Sequence, residues 1–228
     1  MKLIKTLAAI AGAGLIFAAA PASATVTLYI CDGVNPCVTV ADGSGMDANG
    51  AAGAVTWVGS IGVWNLNVTT GISESPIPSM DLNSVDHSTA AGNLIIGVFD
   101  TGFGPAGAGP FSAQLGIGGT QDNGQINLFQ AVANTLDLQT GIGVPCDGVV
   151  VQCDNFGPLA AANFAGSGNP SFTLPGGLFG MGIFINLSHT GAGLTSFDSR
   201  LRTPEPATLA LVGIALAGLG FAKRRKQA

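Results

Sequence analysis

From residue 179 to residue 187 every second position carries a large apolar side chain: Phe179, Met181, Ile183, Ile185 and Leu187. A repeat of two is the signature of a strand with one face buried, and an α-helix, with its repeat of 3.6, cannot hold such a row on one side. The pattern recurs along the chain. Val26, Leu28 and Ile30 share a face opposite Thr25, Thr27 and Tyr29; Trp64, Leu66 and Val68 alternate with Asn65 and Asn67; Phe111, Ala113, Leu115 and Ile117 alternate around Ser112 and Gln114. Further strand candidates cover 37–41, 54–59, 80–87, 93–100, 125–133, 170–174 and 195–202. Clusters of Gly, Pro, Asn and Asp separate them, such as Asp42-Gly43-Ser44-Gly45 and Gly102 to Pro110, and these residues suit turns. A helical stripe competes only weakly, at 125–138. The expectation is an all-β domain: an antiparallel β-sandwich or jelly roll of about ten strands.

The two ends obey other rules. Residues 1–24 begin with Lys2 and Lys5, continue as an apolar run from Leu7 to Ala20, and close on Ala22-Ser23-Ala24. A charged start, a short apolar stretch and small residues in A-x-A order make a secretory signal peptide, cut after Ala24. At the far end Pro204-Glu205-Pro206 opens an apolar stretch from Ala207 to Ala222 that stops at Lys223, Arg224, Arg225 and Lys226. Those 16 residues as a helix reach about 24 Å, enough for a marginal transmembrane helix. The basic cluster holds its end in the cytoplasm.

Removing both ends explains a misleading average. The chain is 47% hydrophobic and 9% charged, as a membrane protein might be composed. Six of the 8 Lys and Arg lie in the end segments, so residues 25–203 keep only Arg200 and Arg202, against 12 of the 13 carboxylates. Nucleic acid is excluded as a partner, because phosphate backbones are bound by clustered Lys and Arg.

The order Pro-Glu-Pro, apolar helix, basic stop resembles the PEP-CTERM sorting tail of Gram-negative bacteria that secrete exopolysaccharide. The resemblance implies that Pro204, Glu205 and Pro206 are recognised and cut by a membrane exosortase. The protein would then be exported through signal peptidase, held transiently in the inner membrane, and delivered to the cell surface or extracellular matrix. An LPxTG sortase motif is absent, and a plain membrane anchor is the competing reading. The body also resembles small PEP-CTERM proteins through the progression from Cys31 to Cys37, Trp64, Asn67 to Gly71 and Asp81 to Ser84. That second resemblance brings no activity with it. The domain plan is 1–24 signal peptide, 25–203 extracytoplasmic β domain and 204–228 sorting tail.

Four cysteines form two close pairs, Cys31/Cys37 and Cys146/Cys153, each opening Cys-Asp-Gly-Val. An even count in an exported chain reads as disulfides. Of three possible connectivities, the local one is expected, each bond contributing about 2 kcal/mol. Zinc would need closer spacing and finds no neighbouring histidine.

Chemistry is sparse. His87 and His189 could each join a serine and an aspartate, but no G-x-S-x-G elbow accompanies them. Glu74 stands in Ser73-Glu74-Ser75-Pro76, a loop by composition. Asp42, Ser44, Asp47 and Asn49 share one Gly-rich loop and form a calcium candidate, set against ordinary turn chemistry. No cofactor is called for. The expected role is non-enzymatic: a structural, adhesive or exopolysaccharide-associated surface protein. A carbohydrate- or calcium-binding module is the alternative, in which Tyr29, Trp57 and Trp64 would supply the aromatic platforms. A secreted hydrolase is the further one.

Overall fold

The computed structural model describes residues 26–74, 78–106, 109–133, 151–174 and 176–203. The signal segment, the tail from Pro204 onward and Cys146 lie outside them. Fourteen strands occur among the described residues: β1 Thr27–Cys31, β2 Val38–Ala41, β3 Ala54–Ile61, β4 Trp64–Glu74, β5 Ser79–Ser88, β6 Gly92–Ala106 and β7 Gly109–Ser112; then β8 Gln114–Gln121, β9 Gly124–Ala133, β10 Val151–Leu159, β11 Asn163–Gly168, β12 Ser171–Leu174, β13 Gly177–His189 and β14 Gly193–Arg202.

Two six-stranded sheets result. The first has the order β10-β9-β13-β6-β1-β2 and the second β11-β8-β14-β5-β4-β3, while β7 and β12 form a small ribbon. All their pairings are antiparallel. One apolar cluster joins the inward faces: Leu28, Ile96, Ile183 and Leu128 from the first sheet meet Trp64, Leu82, Leu115 and Phe197 from the second. The architecture is an antiparallel sandwich, and the period-two rows supply its core. On β14, Thr195, Phe197, Ser199 and Leu201 are buried while Leu194, Asp198, Arg200 and Arg202 are exposed.

The strand count exceeds the expected ten or so for local reasons. The expected strand around 111–117 divides at Ala113, whose N–H donates to Pro170 O at 2.9 Å, leaving β7 to pair with β12 and β8 with β11 and β14. The Gly102 to Pro110 cluster is mostly strand, with β6 running on to Ala106 and β7 starting at Gly109. Glu74 ends β4 instead of lying in a loop. Strand β10 carries Pro158 and a register shift between Phe156 and Leu159. As an edge strand of the first sheet it can tolerate the missing donor. In β11, Gly166, Ser167 and Gly168 each pair with β8.

Cys31 and Cys37 form the expected disulfide, with a Cα–Cα distance of 4.5 Å, closing the β1–β2 hairpin at its turn. Inside this loop Asp32 Oδ1 accepts the N–H groups of Val34 and Asn35 at 3.0 and 2.7 Å. The pairing of Cys153 with Cys146 lies outside the described residues.

Candidate functional site

The outward face of the second sheet carries a groove of ≈ 620 Å³. It follows from alternation on three adjacent strands. Burying Leu82 and Ser84 turns Asp81 and Asn83 of β5 outward; burying Phe197 and Ser199 does the same for Ser196, Asp198 and Arg200 of β14. On the neighbouring β8 the positions opposite Arg200 and Asp198 are Gly116 and Gly118. With no side chains there, the sheet surface is low along β8, and the polar groups of β14 and β5 stand beside it. Ile72 of β4 closes the far side.

The groove holds donors and acceptors of both signs. Asp81 and Arg200 are cross-strand partners, with Arg200 Nε donating to Asp81 Oδ2 at 3.2 Å. Burial foremost, and next the charge of Asp198, push the Asp81 carboxyl above its usual range, while Arg200 pulls the other way. Sequence reasoning passed over this set. The signal was present in Asp81 and Asn83 and in Ser196, Asp198 and Arg200, which recur at every second position of their segments. What a single strand cannot reveal is that β5 and β14 become neighbours.

The two histidines go to different places. His87 is exposed, whereas His189 is buried against Trp64, with ring centroids 4.8 Å apart. His189 Nδ1 lies 2.7 Å from Ser88 Oγ, and Nε2 lies 2.7 Å from Thr195 Oγ1. Ser88 donates its own hydrogen to Gly191 O at 3.1 Å. This assigns the ring proton to Nδ1, donating to Ser88, and leaves Nε2 accepting from Thr195. Burial holds the imidazole below its ordinary pKa, with the Asp122 charge opposing. A serine whose oxygen accepts from the imidazole is not being deprotonated by it. Ser88 is also fully buried, so this trio braces the core below Trp64.

The calcium candidate resolves into separate contacts. Asp47 Oδ1 accepts from the backbone of Asn49 and Thr56 at 2.8 and 2.9 Å, and Oδ2 accepts from Gly43 at 3.0 Å. Desolvation acts to raise the Asp47 pKa, but these three donors outweigh it and hold the carboxyl below its usual range. Asn49 Oδ1 accepts from Ala51 N at 3.0 Å, and Asp42 Oδ2 from Gly53 N at 2.7 Å. Ser44 Oγ is buried without a partner. Asp47 and Asn49 thus act as turn residues. The candidate aromatic platforms are dispersed: Trp64 is fully buried, and Tyr29 and Trp57 are half-buried on strands of different sheets.

Comparison with curated protein sequences gives no match. Among solved structures, TmCBM61 in complex with beta-1,4-galactotriose is 9% identical over 64% of this chain and 92% of its own, at a TM-score of 0.29. The enzymatically active domain of tailspike protein 4 from bacteriophage CBA120 is 13% identical over 64% of this chain and 20% of its own, with a TM-score of 0.34. The isomalto-dextranase of Arthrobacter globiformis T6 complexed with panose is 13% identical, covering 65% and 23%, with a TM-score of 0.26. None of these likenesses bears on what this chain binds. The informative match is to a family model, and it falls on the tail that follows β14: residues 202–226 are a PEP-CTERM protein-sorting motif, which implies export, a membrane anchor before processing, and processing by an exosortase.

Proposed function

We propose that this protein is a non-enzymatic component of the bacterial surface or extracellular matrix, sorted by its tail, whose β-sandwich holds a neutral exopolysaccharide chain in the groove of the second sheet. The observation that carries the reading is the groove itself. Its ≈ 620 Å³ lies within the about 300–1,000 Å³ typical of ligand sites. Asp81, Asp198, Asn83, Ser196 and Arg200 offer the mixed acceptors and donors that sugar hydroxyls require. The acidic body, with two arginines between residues 25 and 203, disfavours a polyanionic polymer. Among the described residues the aromatic lining of the groove is Phe197, which is buried and offers no platform, so recognition would run through hydrogen bonds, with the modest affinity suited to many repeated contacts along a polymer.

Affinity gel electrophoresis of the exported protein through gels containing the host's exopolysaccharide tests this. The polymer should retard the wild type. Asn83→Ala and Asp198→Ala should each lose most of the retardation while keeping the wild-type melting temperature. Equal retardation of wild type and both variants would remove the groove from the account.

A further inference from the structure

A second feature lies at the β2–β1–β6 edge of the first sheet. Thr27 pairs with Ala41 on one side and with Phe99 on the other. One residue further out, Val26 therefore stands between Asp42 and Asp100, and Asp42 N donates to Val26 O at 2.9 Å. Two strand spacings separate the aspartates, about 9.5 Å between Cα atoms. Val26 is fully buried, so this row faces into the sandwich. The second sheet meets it with one linked pair: Ser73 N donates to Gly53 O at 2.9 Å, Gly53 N donates to Asp42 Oδ2 at 2.7 Å, and the Ser73 side chain hydrogen-bonds Asp100.

Asp100 is wholly inaccessible to solvent. Its Oδ1 accepts from Thr101 N at 2.6 Å, but Oδ2 has no partner. Two residues beyond Asp42, the Ser44 hydroxyl is a second buried oxygen without one. A carboxyl group withdrawn from water stays ionised only beside a countercharge and otherwise takes up a proton. Among the described residues no basic side chain reaches Asp100: residues 25–203 contain no lysine, and Arg200 and Arg202 sit on β14, in the middle of the other sheet. A rival cation is the α-ammonium that a cut after Ala24 would leave at Thr25, one residue before Val26.

We infer that a calcium ion binds between Asp100 and Asp42, taking Asp100 Oδ2 and the Ser73 hydroxyl as ligands and bracing the β2–β1–β6 edge of one sheet against β3 and β4 of the other. All the donors here are hard oxygens, which select calcium or magnesium over zinc or copper. Asp42 and Ser44 belong to a turn, and the adjustable geometry this gives suits calcium better than the strict octahedron of magnesium. The set differs from the 42–49 loop read from sequence: Asp42 remains, Asp100 and Ser73 enter, and Asp47 and Asn49 leave because backbone amides occupy their oxygens.

The test uses the exported protein stripped with EGTA, and its readouts are independent of polysaccharide binding. Equilibrium dialysis against radioactive calcium should give one ion per chain, with a Kd of about 10⁻⁴ to 10⁻³ M, as in other extracellular modules. Calcium at tenfold excess over Kd should raise Tm by about 5 °C, and magnesium by less. Asp100→Asn should abolish the calcium response and melt above the stripped wild type, because it removes the uncompensated charge. If that variant fails to fold, Asp42→Asn, at a half-buried position, should weaken calcium binding at least tenfold. No binding by the wild type at about ten times the expected Kd, or undiminished binding by either variant, overturns the proposal.

Discussion

Asp86 lies fully inside the sandwich, with the Ser84 hydroxyl 2.5 Å from its Oδ1 and no partner at Oδ2. Burial pushes its carboxyl up to about 7, the Ser84 hydrogen bond opposing. The folded chain therefore holds a proton there that the unfolded chain releases near the ordinary value of 3.8. The stability this confers is complete below the unfolded pKa and is lost as pH rises towards the folded one. Asp86→Asn escapes that loss, so its advantage over wild type in urea titrations should grow between pH 4 and pH 7 and then level off, reaching on the order of 3–4 kcal/mol. His189 works in the other direction, losing stability as pH falls below the ordinary histidine range, but it is common to both proteins and cancels. Gly119 and Gly116 make a second contrast. A Cβ on Gly119 would meet the Ser196 carbonyl oxygen at 2.0 Å and Phe197 Cα at 2.9 Å, whereas one on Gly116 meets nothing within 4 Å. Gly119→Ala should cost about 3 kcal/mol through backbone displacement. Gly116→Ala should leave the urea midpoint within about 0.5 kcal/mol of wild type.

Among the elements, legibility followed the strength of alternation. Strands β1, β4, β13 and β14 could be read from the sequence because one of their faces builds the core. Strands β10 and β11 could not, because an edge strand with one covered side needs no apolar row; Phe156 and Phe164 are its remaining anchors. The site was legible as a list of outward polar residues and illegible as a place. β5 and β14 are more than a hundred residues apart in the chain, and their adjacency depends on crossovers that no local pattern encodes. The disulfide was legible because its loop is short. Replacing Cys31 and Cys37 together with serine should lower stability by about 2 kcal/mol in chemical denaturation, and it should increase hydrogen exchange in β1 and β2 before the central strands respond.

For the molecule as a whole, the junction between body and tail matters most. β14 lies between β8 and β5, and Thr203, just beyond its end, is buried, with its N–H donating to Pro78 O at 3.0 Å. The Pro-Glu-Pro motif begins at the next residue. A cut within it would leave every described strand of the sandwich complete, so release demands no unfolding of the body. Before the cut, this short junction would hold the sandwich close to the membrane. The central claim, that this is a sorted matrix protein and not a resident membrane protein, meets its most direct test in intact mass spectrometry of the chain recovered from an exosortase-competent host. The account predicts a soluble or matrix-bound product that starts at Thr25 and ends within or next to Pro204-Glu205-Pro206, with a longer, membrane-bound form in a host lacking the exosortase. Recovery from the competent host of exported protein still carrying Lys223 to Ala228 would contradict it.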